Sequence, residues 1–204
     1  MPETHSGLPI LCFSDQAALE SWLIDQPQNP PGAWLRFAKK GAGFTTVTKA
    51  EAIDSALCFG WIDGQLDKYD ASSWLVRFTP RKAQSKWSKV NRTRALELIA
   101  EGRMTAAGQA EIDRAKADDR WELAYEPAST AQVPSDLRAA LDARPKAAAF
   151  FETLTGANRY AVLYRIGAVK KAETRARKVA DFVAMLERGE TIHGETKRGR
   201  RSTP

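Results

Sequence analysis

Cysteine and histidine are scarce in this chain, with two of each among 204 residues. Cys12 and Cys58 form no C-x-x-C pair, and His5 and His193 stand near opposite ends. The ligand spacing of a His/Cys zinc site is therefore missing, and neither metal nor cofactor is expected. Two thiols without a framework read as reduced cysteines of a cytosolic protein rather than as a disulfide. Long apolar runs are missing too, since none approaches the ~18 residues of a membrane-spanning helix. The opening stretch MPETHSGLPILCF has no basic n-region and no extended apolar core, so it does not read as a signal peptide and a cytoplasmic location is expected. No glycine-rich phosphate loop follows a strand pattern and no G-x-S-x-G occurs, which speaks against nucleotide hydrolysis and α/β-hydrolase chemistry.

What is present is an ordinary globular composition, 43% hydrophobic and 27% charged, at a length that allows one large or two small domains. The net charge of +6 is unevenly placed. From Ser135 to Pro204 there are 15 Lys/Arg and 8 Asp/Glu, a net +7, whereas the remaining 134 residues carry 16 and 17, a net −1. All six tryptophans lie at or before Trp121. The two shifts coincide near YEPASTAQVPSD, which has the Pro and Ser of a linker. The reading is α+β: a small mixed domain with an antiparallel hairpin over 1–124, a linker over 125–136, a mostly helical domain over 137–193 and a disordered basic tail over 194–204.

In the first module Ser14 is an expected N-cap for a helix over 15–26, and AWLRFAKK reads as a strand entered from the turn NPPG. Thr48 and Glu51 form the capping-box pattern of a helix that presents Ile53, Ala56 and Leu57 on one side. Gly60 closes that helix as its C′ residue. Cys58 then falls in the last helical turn, where the macrodipole disfavours a thiolate, and no histidine is near in sequence to activate it. It reads as a buried structural cysteine rather than a nucleophile.

A hairpin centred on Asp70 comes next. The register that best separates apolar from polar positions sets Ile62 against Phe78, Gly64 against Val76 and Leu66 against Trp74 on one face. The other face then pairs Trp61 with Thr79, Asp63 with Arg77 and Gln65 with Leu75. Asp63 and Arg77 form either a cross-strand ion pair or a carboxylate–arginine contact for a ligand beside the aromatic wall of Trp61. The following FTPRKAQSKWSKVN gathers Arg81, Lys82, Lys86 and Lys89 around Ser85, Trp87 and Ser88. Ser88 reads as the N-cap of a helix on which Asn91 shares a face with Ala95 and Leu98. A helix N-terminus among Arg and Lys suits an anion; the alternative is a solvated loop with Trp87 on the core. The expected ligand-binding set is Trp61, Asp63, Arg77, Arg81, Ser85, Trp87, Ser88 and Asn91.

GAWLRFAKK, TKAEAIDSALCFGWIDGQ, FTPRKAQSKWSKVN, EGRMTAAGQAEIDRAKADDRWELAY and RYAVLYRIGAVKKAETRARKVADFVAMLERGE together resemble the YdeI/OmpD-associated, or bacteriocin-protection, family from about Phe13 to His193. The resemblance implies a small bacterial protein in two parts, the second being the OmpD-associated helical domain. It implies a link to tolerance of bacteriocins and cationic antimicrobial peptides. It implies no catalytic residue and no cofactor.

The second module has its own helical periods, in Ala147, Phe150, Phe151 and Leu154 and again in Val179, Phe182, Val183 and Leu186. Between them Lys170, Lys171, Arg175, Arg177 and Lys178 could face solvent, nucleic acid or an acidic partner. The expected function is non-catalytic stress protection or ligand binding. The alternatives are an enzyme acting on an anionic small molecule and nucleic-acid binding through the basic second module, although no helix-turn-helix spacing or base-reading motif favours the latter.

Overall fold

The computed structural model describes residues 3–27, 29–169 and 171–194. The tail segment 195–204, expected to be disordered, and Lys170 of the basic set lie outside the described residues. The chain divides into two compact units, Met1–Ala124 and Tyr125–Pro204, and the fold is α+β.

The first unit runs β1 (Thr4–His5), β2 (Leu8–Leu11), α1 (Gln16–Ile24), β3 (Ala33–Ala38), α2 (Lys49–Cys58), β4 (Trp61–Lys68), β5 (Ser73–Pro80), α3 (Lys89–Ala100) and α4 (Ala106–Ala117). The strand order is β1-β2-β3-β5-β4. Among the described residues only the β2–β3 pair is parallel, which fits the α1 crossover between them. Asp15 rather than Ser14 caps α1, accepting the Ala18 N–H at 2.9 Å. The Thr48–Glu51 capping box forms in both directions.

One face of the sheet is covered by α1 and α2. Leu19, Leu23, Ala52 and Ala56 bury there against Leu35, Phe37, Val76, Phe78 and Trp61. Across the other face runs the N-terminal segment. His5 meets the Trp34 ring edge-on at 4.7 Å and reaches the Asp67 carboxylate at 3.0 Å. A second cluster joins the end of α2 to α3 and α4 through Leu57, Cys58, Ala95, Leu98, Ile112 and Ala115, with Trp87 and Trp121. Full burial of each Leu or Ile here contributes about 1.5–3 kcal/mol. Arg94 locks the same junction with a two-pronged bond to Asp54 at 2.8 and 2.7 Å.

The expected register of β4 and β5 is corrected by the structure. Trp61 stands opposite Pro80, Ile62 opposite Thr79 and Asp63 opposite Phe78, and beyond an irregularity between Asp63 and Leu66 the pairing resumes with Leu66 opposite Val76. An offset of one residue moves every side chain of one strand to the other face. Trp61 and Asp63 thus share the helix-covered face with Phe78, whereas Arg77 lies on the opposite face, across from Trp34.

The second unit contains α5 (Ser135–Asp142), α6 (Pro145–Thr153), α7 (Gly156–Gly167) and α8 (Ala172–Glu187). Leu137, Leu141, Phe151, Val162, Ile166, Val183 and Leu186 fill its core. Arg175 clamps α8 to α5 through both Asp136 oxygens, at 2.6 and 3.0 Å, and donates to the Ile166 carbonyl of α7 at 3.0 Å. The buried Asn158 side chain pins the chain after α8, donating to His193 O at 3.1 Å and accepting the His193 N–H at 2.8 Å.

Candidate functional site

The segment between β5 and α3 carries Arg81, Lys82 and Lys86, three of the charged residues singled out in the sequence, and the structure shows how it is held. Arg81 is not a surface cation. It is 6% exposed, its guanidinium lies 3.6 Å over the Trp87 ring, and its Nη1 donates to the Lys86 carbonyl at 3.3 Å. Its backbone N–H donates to Gly60 O at 2.9 Å, tying the end of β5 to the α2–β4 corner. Between these anchors residues 82–85 form a tight turn. The Ser85 N–H donates to Lys82 O at 2.8 Å, and the Lys82 N–H donates to Ser85 Oγ at 2.9 Å. Lys82, Lys86 and Lys89 are exposed around it. Ser88 caps α3, its Oγ accepting the Asn91 N–H at 3.1 Å. As at any helix start, the first N–H groups of α3 point out of its N-terminal end.

The remaining sequence-derived residues separate. Trp61 is 4% exposed in the sheet–helix core, edge-on to Trp22 at 5.4 Å. Trp87 is 1% exposed in the second cluster, edge-on to Trp121 at 4.8 Å. Neither offers a flat wall to solvent. Asp63 approaches Lys49 at 3.7 Å rather than Arg77, and Arg77 is exposed on the other face of the sheet. Asn91 enters through its backbone N–H and is half-buried. Of the eight residues, Arg81, Ser85, Trp87, Ser88 and Asn91 are brought together. Trp61, Asp63 and Arg77 do not form one polar face.

Two residues absent from the sequence reading belong to this neighbourhood. Arg120 follows the end of α4 and donates from Nη1 to Ser85 O at 2.6 Å while its Nε bonds both Asp118 oxygens at 2.8 and 2.7 Å. Glu111 is on α4, its side chain 13% exposed, with an ion pair to Arg114 at 3.1 Å. Burial pushes its carboxyl above the usual glutamate range, opposed by the charges of Arg114, Arg81 and Arg120. In sequence Glu111 and Arg114 read as a solvated i,i+3 pair, and nothing local marks the glutamate as buried.

The thiol of Cys58 gains nothing from this environment. It is 1% exposed, and burial pushes it up to about 11. Among the described residues no group of three or more His, Cys, Asp or Glu could hold a metal ion, and no helix is long and apolar enough to cross a membrane. In the second unit, Arg175 of the expected basic surface is committed to Asp136 and to Ile166 O.

Fold and site thus define a class: an α+β unit presenting a basic turn at a helix N-terminus, followed in the chain by a helical unit with its own core. Residues 11–111 match a domain of unknown function, DUF8412, and residues 130–189 match the model described as Bacteriocin-protection, YdeI or OmpD-Associated. That second match makes residues 130–189 similar to the YdeI/OmpD-associated, bacteriocin-protection family. The family match falls on the helical part, whereas the sequence resemblance was drawn over nearly the whole chain. No curated protein matches the chain. No solved structure matches it either.

Proposed function

We propose that the protein is a non-catalytic protection protein that binds an anionic small molecule at the basic turn before α3. The family supports the protective role, since its description names bacteriocin protection. The observation that carries the binding reading is the anchoring of the 82–85 turn. A buried Arg81–Trp87 stack on one side and the Arg120–Ser85 bond on the other hold an exposed lysine turn rigidly against a helix N-terminus. Fixed N–H groups and positive charge at such an end favour an anion. In this reading Arg81 and Trp87 position the turn and do not touch the ligand, while Lys82 and the first N–H groups of α3 do. The site is cytoplasmic in this proposal.

The test is a nuclear magnetic resonance titration of the full chain with a simple phosphate monoester. Amide shifts should concentrate at residues 82–90, and Lys82→Ala should weaken binding by about 3- to 10-fold, the scale of one charge-assisted contact at a partly exposed site. Shifts spread evenly over the surface, or none, would sink the reading.

A further inference from the structure

The β1–β2 hairpin turns at Ser6 and Gly7, whose φ values of 49° and 78° are those a two-residue type I′ turn requires. β1 and β4 end the strand order at opposite edges of the sheet. In a flat sheet those edges would stand about 19 Å apart, four strand spacings of ~4.8 Å. Yet His5 of β1 reaches the Asp67 carboxylate of β4 at 3.0 Å. The hairpin therefore leaves the edge, where β2 joins β3 through Ile10–Trp34 and Leu11–Leu35, and folds over the sheet as a strap. A second tie lies two residues earlier, where the Glu3 carboxylate accepts the Tyr69 hydroxyl. Against this strap Trp34 is 2% exposed, its ring edge-on to His5. The Trp34 indole N–H is buried and meets no acceptor among the described residues. The latch itself is only half-buried at both His5 and Asp67.

We propose that this strap is a pH-dependent cover, latched by the His5–Asp67 pair and able to lift off Trp34 without unfolding the rest of the unit. Histidine is the side chain that changes charge between pH 5 and 8. Protonated, it gives Asp67 an ion pair. Neutral, it leaves a hydrogen bond from an uncharged donor, which is weaker. The cover is thus tightest in mildly acidic solution and loosens as pH rises. The other charged and titratable groups around the latch come from four places. Asp67 is on β4 and Glu3 precedes β1. Arg77 of β5 stands across from Trp34 on the same face, and the Arg36 guanidinium of β3 lies 4.7 Å over the Tyr69 ring. Arginine and carboxylate side chains ordinarily keep their charge between pH 5 and 8. Tyr69 stays protonated there, its phenol pushed up by the bond to Glu3. Opening brings Trp34, with its unused donor, to solvent beside Arg77.

Hydrogen exchange of the Trp34 indole N–H in the full chain, followed by nuclear magnetic resonance, tests this, with Trp34→Phe identifying the resonance. No hydrogen bond within the described residues protects that proton, so its exchange reports how often the cover lifts. Comparing parent and variant at one pH cancels the intrinsic chemistry of exchange. At pH 5.5 Asp67→Asn should speed exchange about two- to fivefold, the scale of an ion pair at a partly exposed site. At pH 8 the two proteins should agree to within about 1.5-fold, because a neutral histidine bonds either side chain without an ion pair. His5→Gln should behave in the same way, and it keeps the test intact if Asp67→Asn folds poorly. A ratio that is equal at both pH values overturns the latch. Exchange as slow as that of the β3 and β5 core amides overturns the separate opening. Exchange as fast as in the denatured chain overturns the cover itself.

Discussion

At the scale of single residues, burial decides what each polar group can do. Cys58 lies among Leu57, Ala95, Leu98 and Ile112, and its thiol titrates near 11 because burial disfavours the thiolate. At pH 7.5 iodoacetamide should label the exposed Cys12 and leave Cys58 unmodified in the native chain; fast labelling of Cys58, read by mass spectrometry, would reverse this assignment. Asp70 is the opposite case. Its carboxylate accepts from the Oγ and the N–H of both Ser72 and Ser73, and the Ser73 hydroxyl chiefly holds it down to about 2. A carboxyl lowered in the folded state stabilises above the unfolded aspartate value of ~3.9, and that contribution is lost as pH falls through about 2. Asp70→Asn should thus lower the melting temperature at pH 6, and the gap from the parent protein should close between pH 4 and pH 2. A gap that stays constant with pH would show that the carboxylate charge is not the cause.

At the scale of elements, the join between α2 and α4 leaves no room for a side chain at Gly108. A Cβ on Gly108 would lie 2.3 Å from the Cys58 carbonyl oxygen and 2.6 Å from that of Leu57. Both atoms belong to backbone, which cannot turn aside as a flexible side chain can. Thr105 adds a bond from its Oγ1 to the same Cys58 carbonyl at 2.5 Å. Gly108→Ala should therefore destabilise the chain by about 1–3 kcal/mol, the usual cost of overpacking, despite the gain in helix propensity. Chemical denaturation measures it, and an unchanged midpoint would mean that α4 shifts freely on α2.

Where local chemistry determines an element, the sequence was readable. The Thr48–Glu51 capping box, the Ser88 cap, the end of α2 at Gly60 and the apolar periods now seen in α6 and α8 depend on residues within one or two turns. The β4–β5 register was misread because binary patterning assumed continuous pairing. The irregularity between Asp63 and Leu66 displaces the two ends of β4 differently, and no local residue announces by how much. The same limit hid the site's true arrangement. Trp61 and Trp87 carry large apolar surfaces that either core or a ligand could use, and only the tertiary packing of α1 and α4 sends both into cores. Arg120 and Glu111 became relevant through contacts with Ser85 and Gly60, which lie 35 and 51 positions away in the chain.

At the scale of the whole molecule, the uneven composition follows the division into units. The aromatic-rich first unit buries tryptophan in both of its clusters. The second relies on aliphatic residues and phenylalanine from α5 to α8, with Asn158 and the Arg175–Asp136 clamp closing its ends. Each unit has a separate hydrophobic core, the physical condition for folding alone. Fragments 1–124 and 125–204 should each show a cooperative thermal transition by circular dichroism, with near-ultraviolet signal from tryptophan confined to the first. At about 80 residues the second fragment is near the size at which a single core is marginal, so its transition should come at the lower temperature. Its charge excess adds repulsion within a small body, and moderate salt should raise its midpoint more than that of the first fragment. A second fragment that melts without cooperativity at any salt concentration would mean that its core needs the first unit.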